Sequence, residues 1–345
     1  MRIALVNDVV AAVEAMRRVV LSTREHQLAW IAHDGAEAID LCACDTPDLI
    51  LMDLIMPRMD GVESTRRIMA RTPCAIVVVT ADVNYRSSKV FEAMGAGALD
   101  AVNTPVLEHP GARGSAQTLL RKIETIRKLI GAERARSGPA SPPSVARQFS
   151  RHHDHLIAIG ASAGGPMALA KVLAHLPADF PAPVVIVQHV DAQFTAGLAN
   201  WLGGQTALRV RLARDGDRPE RGTVLLAGQN DPLVFASVGR LAYRREPLDC
   251  AYRPSIDLFF KSAERSWPGD VIGVVLTGMG RDGAEGLLAL RRNGHHTIAQ
   301  DRTSSAAFGM PGAAAELHAA SEILALDKIG PRLTNILAQR LKVHG

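Results

Sequence analysis

The sequence predicts two consecutive α/β domains, and three observations support this prediction. Its 345 residues suit about two domains of ordinary size. Short apolar strand patterns alternate with amphipathic helical patterns, which favours parallel sheets covered by helices on both faces. Residues 133–153, rich in Pro, Ser, Gly and Arg, interrupt this alternation. We therefore expect a first domain at residues 1–130, a linker at 131–153 and a second domain at 154–345.

Five short apolar segments predict the strands of the first domain. They are Ile3–Val6, Leu28–Ala32, Leu49–Met52, Ile76–Val79 and Ala98–Val102. Amphipathic stretches lie between them, and Leu119–Ile130 predicts a closing helix. In such a sheet the functional site is expected at the carboxyl ends of the strands.

The same alternation resumes after the linker and predicts a second sheet. Its predicted strands are Leu156–Ile159, Val184–Val187, Val224–Ala227 and Val271–Leu276. The first and last of these run into glycine-rich loops, whereas the second ends in Gln188-His189. Polar residues thus follow several strands of this domain, as they do in the first.

Bulk properties exclude several classes of protein. No apolar run approaches the roughly 20 residues that span a bilayer. The opening residues lack the apolar region and cleavage site of a signal peptide, so we expect a cytoplasmic protein without membrane insertion. The net charge of +4 comes from scattered Arg and Lys with few aromatic residues, which disfavours a nucleic-acid partner.

Cysteine and histidine spacing gives no metal motif. The four cysteines are Cys42, Cys44, Cys74 and Cys250, and no two pairs have the spacing of a zinc site. We expect reduced thiols. His152, His153 and His155 follow the linker without a carboxylate or cysteine at ligand spacing, which disfavours a metal role.

Two carboxylates mark the predicted strand ends of the first domain. Asp8 follows the first strand and Asp53 follows the third. Neighbouring carboxylates there form a hard oxygen site suited to Mg²⁺, and one could accept a phosphoryl group. Asp residues also terminate strands and cap helices. The pair alone does not decide between these interpretations.

The residues around this pair resemble response-regulator receivers. The matching segments are Leu51–Gly61, Val77–Ala81 and Gly95–Asp100, and the resemblance covers about residues 1–128. It implies a flavodoxin-like order of five parallel strands.

The same resemblance implies a role for individual residues. Asp53 would be the phosphoacceptor, and Mg²⁺ would be held by Asp8, Asp53 and the backbone carbonyl of Ile55. Thr80 would supply the switch hydroxyl that follows the phosphoryl group. A cognate histidine kinase would be the phosphodonor.

Three positions depart from the receiver pattern. Asn7 precedes Asp8 where the family has two adjacent acids, Thr104 stands where it has Lys, and Ala101 where it has an aromatic residue. We expect weaker attraction of Mg²⁺ and looser coupling of phosphorylation to output. Together the departures resemble a subclass that serves Wsp-type surface-signalling pathways.

A turn of small residues predicts an exposed nucleophile in the second domain. Gly160–Pro166 connects a strand to a helix, and its small residues allow a sharp turn that exposes Ser162. Free N–H groups at the helix start can stabilise negative charge. The segment matches the Gly-x-Ser-x-Gly elbow of α/β-hydrolases. A tight turn with a capping Ser explains the same pattern.

Two further strand ends supply the partners of a serine hydrolase. His189 follows one strand, and Asp282 lies in the loop Thr277–Gly283 after another. A base that activates Ser and a carboxylate that orients the base are the groups this chemistry needs. The order Ser, His, Asp differs from the Ser, Asp, His order of α/β-hydrolases. The glycines also fail to spell a dinucleotide-binding motif.

Several separated segments resemble the catalytic domain of CheB-family protein-glutamate methylesterases. They are Ile159–Gly165, Gln188-His189, Phe194-Thr195, Tyr252–Asp257, Leu276–Gly283 and Ala299–Pro311. The resemblance covers most of residues 155–320. One departure is Ala227–Asp231, where the family has Ala-Pro-Gly and a nearby His.

This resemblance implies a doubly wound α/β methylesterase domain with a catalytic triad. Ser162 would be the nucleophile, His189 the base and Asp282 the orienting acid. Met279 and Ala163 are assigned to the oxyanion and substrate site, and Thr195 would line it.

The expected reaction removes methyl esters from glutamyl side chains of a methylated chemoreceptor-like protein. The same chemistry could deamidate glutamine side chains. Mg²⁺ is expected at the receiver and no cofactor at the esterase site. Two other readings stay open: a non-catalytic response regulator whose second domain binds a protein, and an esterase for small molecules with a deep apolar pocket.

Overall fold

The computed structural model describes residues 1–81, 87–105, 112–133, 155–245 and 252–342. The chain divides into two compact units, Met1–Ser137 and Gly138–Gly345. Most of the predicted linker, together with His152, His153 and Cys250, lies outside the described residues.

The first unit alternates strands and helices throughout. Its elements are β1 (Arg2–Val6), α1 (Val10–Leu21), β2 (Gln27–Ala32), α2 (Gly35–Cys44), β3 (Leu49–Met52), α3 (Gly61–Arg71), β4 (Ala75–Thr80), α4 (Ser87–Gly95), β5 (Asp100–Asn103) and α5 (Ala112–Glu133). The described strands pair in parallel in the order β2-β1-β3-β4-β5. This confirms the flavodoxin-like sheet.

Most predicted strands of this unit agree with the structure to within one residue. The exception is β5, which begins at Asp100 because the chain leaves α4 through Gly97, whose φ of 120° belongs to a turn. Helix α5 continues to Glu133, so the first three residues of the predicted linker are helical.

Burial explains why the strand patterns are continuous rather than alternating. All four residues of β3 are buried, and β1 is buried from Ile3 to Val6. Helices cover both faces of a parallel sheet, so side chains on either side of a strand meet apolar neighbours. Asp34 and Asp60 cap the covering helices α2 and α3 by accepting backbone N–H bonds.

The second unit has a larger sheet and a small hairpin. Its elements are β6 (His155–Ala161), α6 (Gly165–Leu173), β7 (Val184–Gln188), α7 (Ala192–Gly203), β8 (Arg209–Leu212), β9 (Thr223–Leu226), β10 (Leu233–Ser237), β11 (Arg240–Tyr243), α8 (Ile256–Ser266), β12 (Asp270–Val275), α9 (Ala284–Arg292), β13 (His296–Gln300), α10 (Gly309–Glu316), β14 (Glu322–Leu324) and α11 (Leu326–Lys342).

The strand order of this sheet creates a place for a site. Within the described residues the parallel order is β14-β13-β12-β6-β7-β9-β8. The chain passes from β6 to β7 on one side and later returns to β12 on the other. Strand β6 therefore stands at a switch in direction, where doubly wound sheets bind their ligands at the carboxyl ends.

Sequence patterns missed five strands of the second unit. The antiparallel hairpin β10–β11 and the strands β8, β13 and β14 were not predicted. Strand β8 has the sequence Arg-Val-Arg-Leu at the sheet edge and none of its residues is buried, so it lacks the apolar run that marked the others. In the part of the chain that the structure describes, no helix is long and apolar enough to cross a membrane.

Candidate active site

The predicted nucleophile lies in a constrained turn after β6. The Ser162 N–H donates to the Thr277 carbonyl at 3.0 Å, and the Gly165 N–H donates to the Ser162 carbonyl at 2.7 Å. Gly164 has a φ of 72°, and a Cβ there would lie 2.6 Å from the Cβ of Ala306. Only glycine fits this position, so the turn holds Ser162 half-buried at the strand end.

The predicted base lies after the neighbouring strand β7. The His189 N–H donates to the Ala161 carbonyl at 3.0 Å, and its Nε2 lies 2.8 Å from Asp282 Oδ2. No hydrogen bond joins the Ser162 hydroxyl to the His189 ring, both of which are described. Nδ1 is the ring nitrogen left for proton transfer, and such bonds are often loose without substrate.

An aromatic ring covers one side of this imidazole. Tyr252 stacks on His189 with ring centroids 5.3 Å apart and planes parallel to within 1°. An aromatic face favours a nearby positive charge. Tyr252 is therefore placed to stabilise a positive charge on the His189 ring.

The predicted acid is buried and fully hydrogen-bonded. Asp282 is 3% exposed. Besides His189, it accepts bonds from the Ser255 hydroxyl at 3.2 Å, the Ile256 N–H at 2.7 Å and the Asp257 N–H at 3.0 Å. Burial acts to raise the pKa of Asp282, but His189 and these N–H donors outweigh it and hold that pKa below its usual range. Asp282 thus stays ionised beside the base.

A second carboxyl group, that of Asp257, lies close to Asp282, and its pKa is shifted in the opposite direction. Burial, with a smaller contribution from the charge of Asp282, raises the pKa of Asp257 to about 6, although the Gly286 N–H opposes the shift with a 2.6 Å hydrogen bond. Asp257 therefore carries a proton over a pH range in which Asp282 does not.

The predicted oxyanion residues present free backbone donors. Ala163 and Met279 are buried, and in the described structure neither N–H is hydrogen-bonded. The Gly278 carbonyl accepts bonds from Gly309 and Met310, which fixes the loop before Met279. A Cβ on Gly278 would lie 2.8 Å from that of Ser162. Two N–H groups near the nucleophile could stabilise a developing oxyanion.

Thr195 is buried on α7. Its hydroxyl lies 2.7 Å from the Ala192 carbonyl and 3.2 Å from the Gly228 carbonyl. The second bond ties α7 to the segment Ala227–Asp231, where the sequence departs from the family it resembles. Whether Thr195 also lines the substrate site stays a prediction.

The predicted phosphoacceptor of the first unit lies at the end of β3. Asp53 is buried; its N–H donates to the Val6 carbonyl at 2.9 Å, and its Oδ1 accepts from the Leu54 N–H at 2.7 Å. Thr80 is 0% exposed, and its hydroxyl has no hydrogen-bond partner among the described residues. The Thr104 N–H donates to the Thr80 carbonyl at 3.0 Å, so the position of the missing Lys is adjacent.

The residues predicted to hold Mg²⁺ fit that ion as a minimal oxygen set. Asp8 is exposed just past β1, which pairs with the strand that ends before Asp53. The Ile55 carbonyl accepts no hydrogen bond in the described structure. The Asn7 amide oxygen accepts from the Val9 N–H at 2.8 Å. Two carboxylates and a carbonyl suit Mg²⁺ that keeps several waters. No three His, Cys, Asp or Glu side chains of the described chain cluster as a metal site.

Sequence reasoning did not assign a role to Ser255 or Tyr252. Both lie in Tyr252–Asp257, a segment quoted for its resemblance alone. A Ser directly before a helical pattern is a capping signal. The Ser255 Oγ does accept from the Leu258 N–H at 3.3 Å. That its hydroxyl also reaches Asp282 depends on how α8 packs against β12.

Comparison with known proteins gives consistent matches across both units. Residues 157–333 match the family model described as CheB methylesterase, and residues 3–109 match that of the response regulator receiver domain. A protein-glutamate methylesterase/protein-glutamine glutaminase of Mesorhizobium japonicum is 56% identical over 339 residues, covering 96% of this chain and 98% of that protein.

Two further comparisons agree with this match. Protein-glutamate methylesterase/protein-glutamine glutaminase 3 of Pseudomonas aeruginosa is 54% identical, covering 97% of this chain and 99% of that protein. The crystal structure of the Thermotoga maritima CheB methylesterase catalytic domain is 33% identical with a TM-score of 0.51. It covers 53% of this chain and 98% of that one.

Proposed function

The chain belongs to the CheB methylesterase family, with a receiver domain ahead of the catalytic domain, and from this premise we propose that it hydrolyses glutamyl methyl esters on a methylated chemoreceptor-like protein. The observation that carries the proposal is the convergence of Ser162, His189 and Asp282. They follow three adjacent strands, β6, β7 and β12, and His189 is hydrogen-bonded to Asp282.

The proposed reaction is acyl transfer through a covalent intermediate. Ser162 Oγ attacks the ester carbonyl while His189 Nδ1 takes its proton. Asp282 holds the Nε2–H side of the ring and stabilises the imidazolium. The N–H groups of Ala163 and Met279 stabilise the oxyanion. His189 passes the proton to departing methanol, and a water activated by His189 then releases glutamate and restores Ser162.

The same residues support deamidation of glutamine side chains. An amide carbonyl places its oxygen as the ester does, and His189 protonates departing ammonia instead of methanol. The relatives from Mesorhizobium japonicum and Pseudomonas aeruginosa are named for both activities. We propose that this chain shares them.

The proposed control is phosphorylation of Asp53 by a cognate histidine kinase, which implies a cytoplasmic protein. Asp8, Asp53 and the Ile55 carbonyl would hold Mg²⁺, which neutralises phosphoryl charge when bound. The unpaired Thr80 hydroxyl supports this proposal, because a phosphoryl group on Asp53 offers it an acceptor. Thr104 supplies no positive charge there, so we expect looser coupling between phosphorylation and output. The departures at Asn7, Ala101 and Thr104 support a place in a Wsp-type surface-signalling pathway.

The decisive experiment follows methanol release from candidate methylated receptors with wild type and Ser162→Ala. We expect release by wild type only. A non-catalytic regulator would release none with either protein. An esterase for small molecules would hydrolyse simple methyl esters yet leave every methylated receptor unchanged.

A further inference from the structure

Gln188 links the two loops that carry the nucleophile and the base. It is the last residue of β7, it pairs with Ala161 of β6, and it is 3% exposed. Its Nε2 donates to the Ser162 carbonyl at 2.8 Å and to the His189 carbonyl at 3.2 Å. One buried amide therefore contacts the backbone of both catalytic residues.

The other end of the same amide is unsatisfied. Gln188 Oε1 is buried and has no hydrogen-bond partner in the described structure. It lies against the start of α6, where a Cβ on Gly165 would come within 2.0 Å of it. Turning the amide over would set its oxygen against two carbonyl oxygens, so the Ser162 and His189 carbonyls fix this orientation.

A nearby glutamine shows a buried amide that is hydrogen-bonded at both of its ends. Gln300 is also fully buried, at the end of β13. Its Oε1 accepts from the Thr277 N–H at 2.8 Å, and its Nε2 donates to the Ser304 carbonyl at 2.7 Å. A buried acceptor without a partner destabilises a fold. The arrangement at Gln188 therefore points to function rather than to stability.

We propose that Gln188 is a positioning residue that sets the separation between Ser162 and His189. This rests on the proposed esterase function. The two side chains share no hydrogen bond, so their separation depends on the backbones that carry them. The backbones of Ser162 and His189 leave the sheet at the point where the Gln188 amide donates hydrogen bonds to their carbonyls. A small misplacement of reacting groups can cost about 10²-fold in rate.

The test replaces Gln188 with Met in the full chain, which keeps the volume and removes the donor. We expect kcat for methanol release from methylated receptor to fall by roughly 10- to 100-fold with KM within about twofold. The melting temperature should stay within about 3 °C, because the unpaired oxygen is removed together with two hydrogen bonds. Gln300→Met, as the matched control, should lower the melting temperature further.

Gln188→Glu supplies a signature that a structural role would not give. The ionised carboxyl of the Gln188→Glu variant would face two carbonyl oxygens in a buried site, which raises its pKa. Above that pKa, activity should fall at least as far as in Gln188→Met. A protonated Glu can donate one hydrogen bond. The ratio of variant to wild-type activity should therefore rise as pH falls, whereas Gln188→Met shows a constant ratio.

Three results would overturn the assignment: kcat of Gln188→Met within about threefold of wild type, a parallel fall of kcat and melting temperature, or a flat activity ratio for Gln188→Glu across the pH range in which its carboxyl titrates. Ser162→Ala is measured beside them. If it retains activity, the proposed function fails. If it is inactive while Gln188→Met is unimpaired, only the positioning role fails.

Discussion

The two units differ in how one buried polar side chain of each site is hydrogen-bonded. Asp282 in the second unit is buried and accepts bonds from four donors. Thr80 in the first unit is buried and its hydroxyl is unpaired. A catalytic site gains from groups that are already oriented, whereas a switch needs a group whose interactions change with state. We infer that the esterase site is preorganised, and that the Thr80 hydroxyl of the receiver site gains a hydrogen bond only when a phosphoryl group is present.

The largest predicted effect comes from replacing Asp282, the carboxylate that accepts four hydrogen bonds. Asp282→Asn keeps the shape but turns an N–H₂ group toward donors and removes the charge that supports His189. We expect turnover of methylated receptor to fall by about 10³- to 10⁴-fold. Initial rates of methanol release measure it.

Asp217→Asn is the matched control for that variant. Asp217 also accepts a backbone N–H, from Arg214 at 2.8 Å, and pairs with Arg211, but it makes no hydrogen bond to the triad. Its replacement should leave turnover within about twofold of wild type. Equal losses in the two variants would show that a hydrogen-bonded carboxylate elsewhere in this unit matters as much as Asp282.

A second prediction concerns the switch. If the receiver domain lowers the basal activity of the esterase domain, removing residues 1–150 should raise basal turnover by about tenfold, which corresponds to about 1.4 kcal/mol. Methanol release by the shortened and full chains measures this. A folded second domain that works no faster than the full chain would remove the inhibitory role.

Asp257 extends this comparison, because burial and the nearby charge of Asp282 make its ionised form unfavourable in the folded state. Its pKa, raised from 3.8 to about 6, means that the folded state binds the proton more tightly than the unfolded state. The free energy of unfolding therefore falls as pH rises through this window. Asp257→Asn has no carboxyl to ionise, so its free energy of unfolding does not fall in this window. At pH 7 the variant should be more stable than wild type by about 1 kcal/mol, after allowance for solvent access.

Denaturant unfolding at several pH values tests the Asp257 prediction. The advantage of Asp257→Asn should shrink toward zero below about pH 3, where the wild-type carboxyl is protonated in both states. An advantage that is constant with pH would assign the effect to packing instead.

The smallest predicted effect is at the unpaired hydroxyl. Thr80→Val removes a buried group without a partner and should stabilise the first unit by up to about 1 kcal/mol. Thr277→Val should do the reverse in the second unit, because the Thr277 hydroxyl bonds the Ala163 and Ala307 carbonyls. Fluorescence of Trp30, with Trp201 and Trp267 replaced by Phe, reports the first unit. Destabilisation by Thr80→Val would mean that its hydroxyl is satisfied.

The sequence predicted most of the strands that are buried on both faces. Strand β13 is also buried, from Thr297 to Gln300, but was missed because polar residues flank its short apolar pair. Leu49–Met52 has the same bounds in the sequence prediction and in the structure, because four consecutive buried apolar residues admit little ambiguity. Strand β8 and the hairpin β10–β11 were missed, since their residues alternate or lie partly exposed. Turn geometry also moved boundaries, as Gly97 did at β5.

The candidate site residues were predicted from strand position, motif and family resemblance, but their supporting contacts were not predicted. Ser255 and Gln188 are unremarkable in the sequence. Their contacts join residues 26 or 27 positions apart across different loops. Such contacts arise from register and helix packing, and no local pattern encodes them. The raised pKa of Asp257 likewise depends on burial of its carboxyl in the fold, and the adjacent residues of the sequence do not predict that burial.

The most direct test of the preorganised triad measures methanol release by Ser162→Ala, His189→Ala and the double variant on one methylated receptor. Each single variant should lose roughly 10³-fold or more, and the double should be little slower than the slower single, because residues that act as a unit do not contribute additively. Release by Ser162→Ala at a rate near that of wild type would contradict the proposed mechanism.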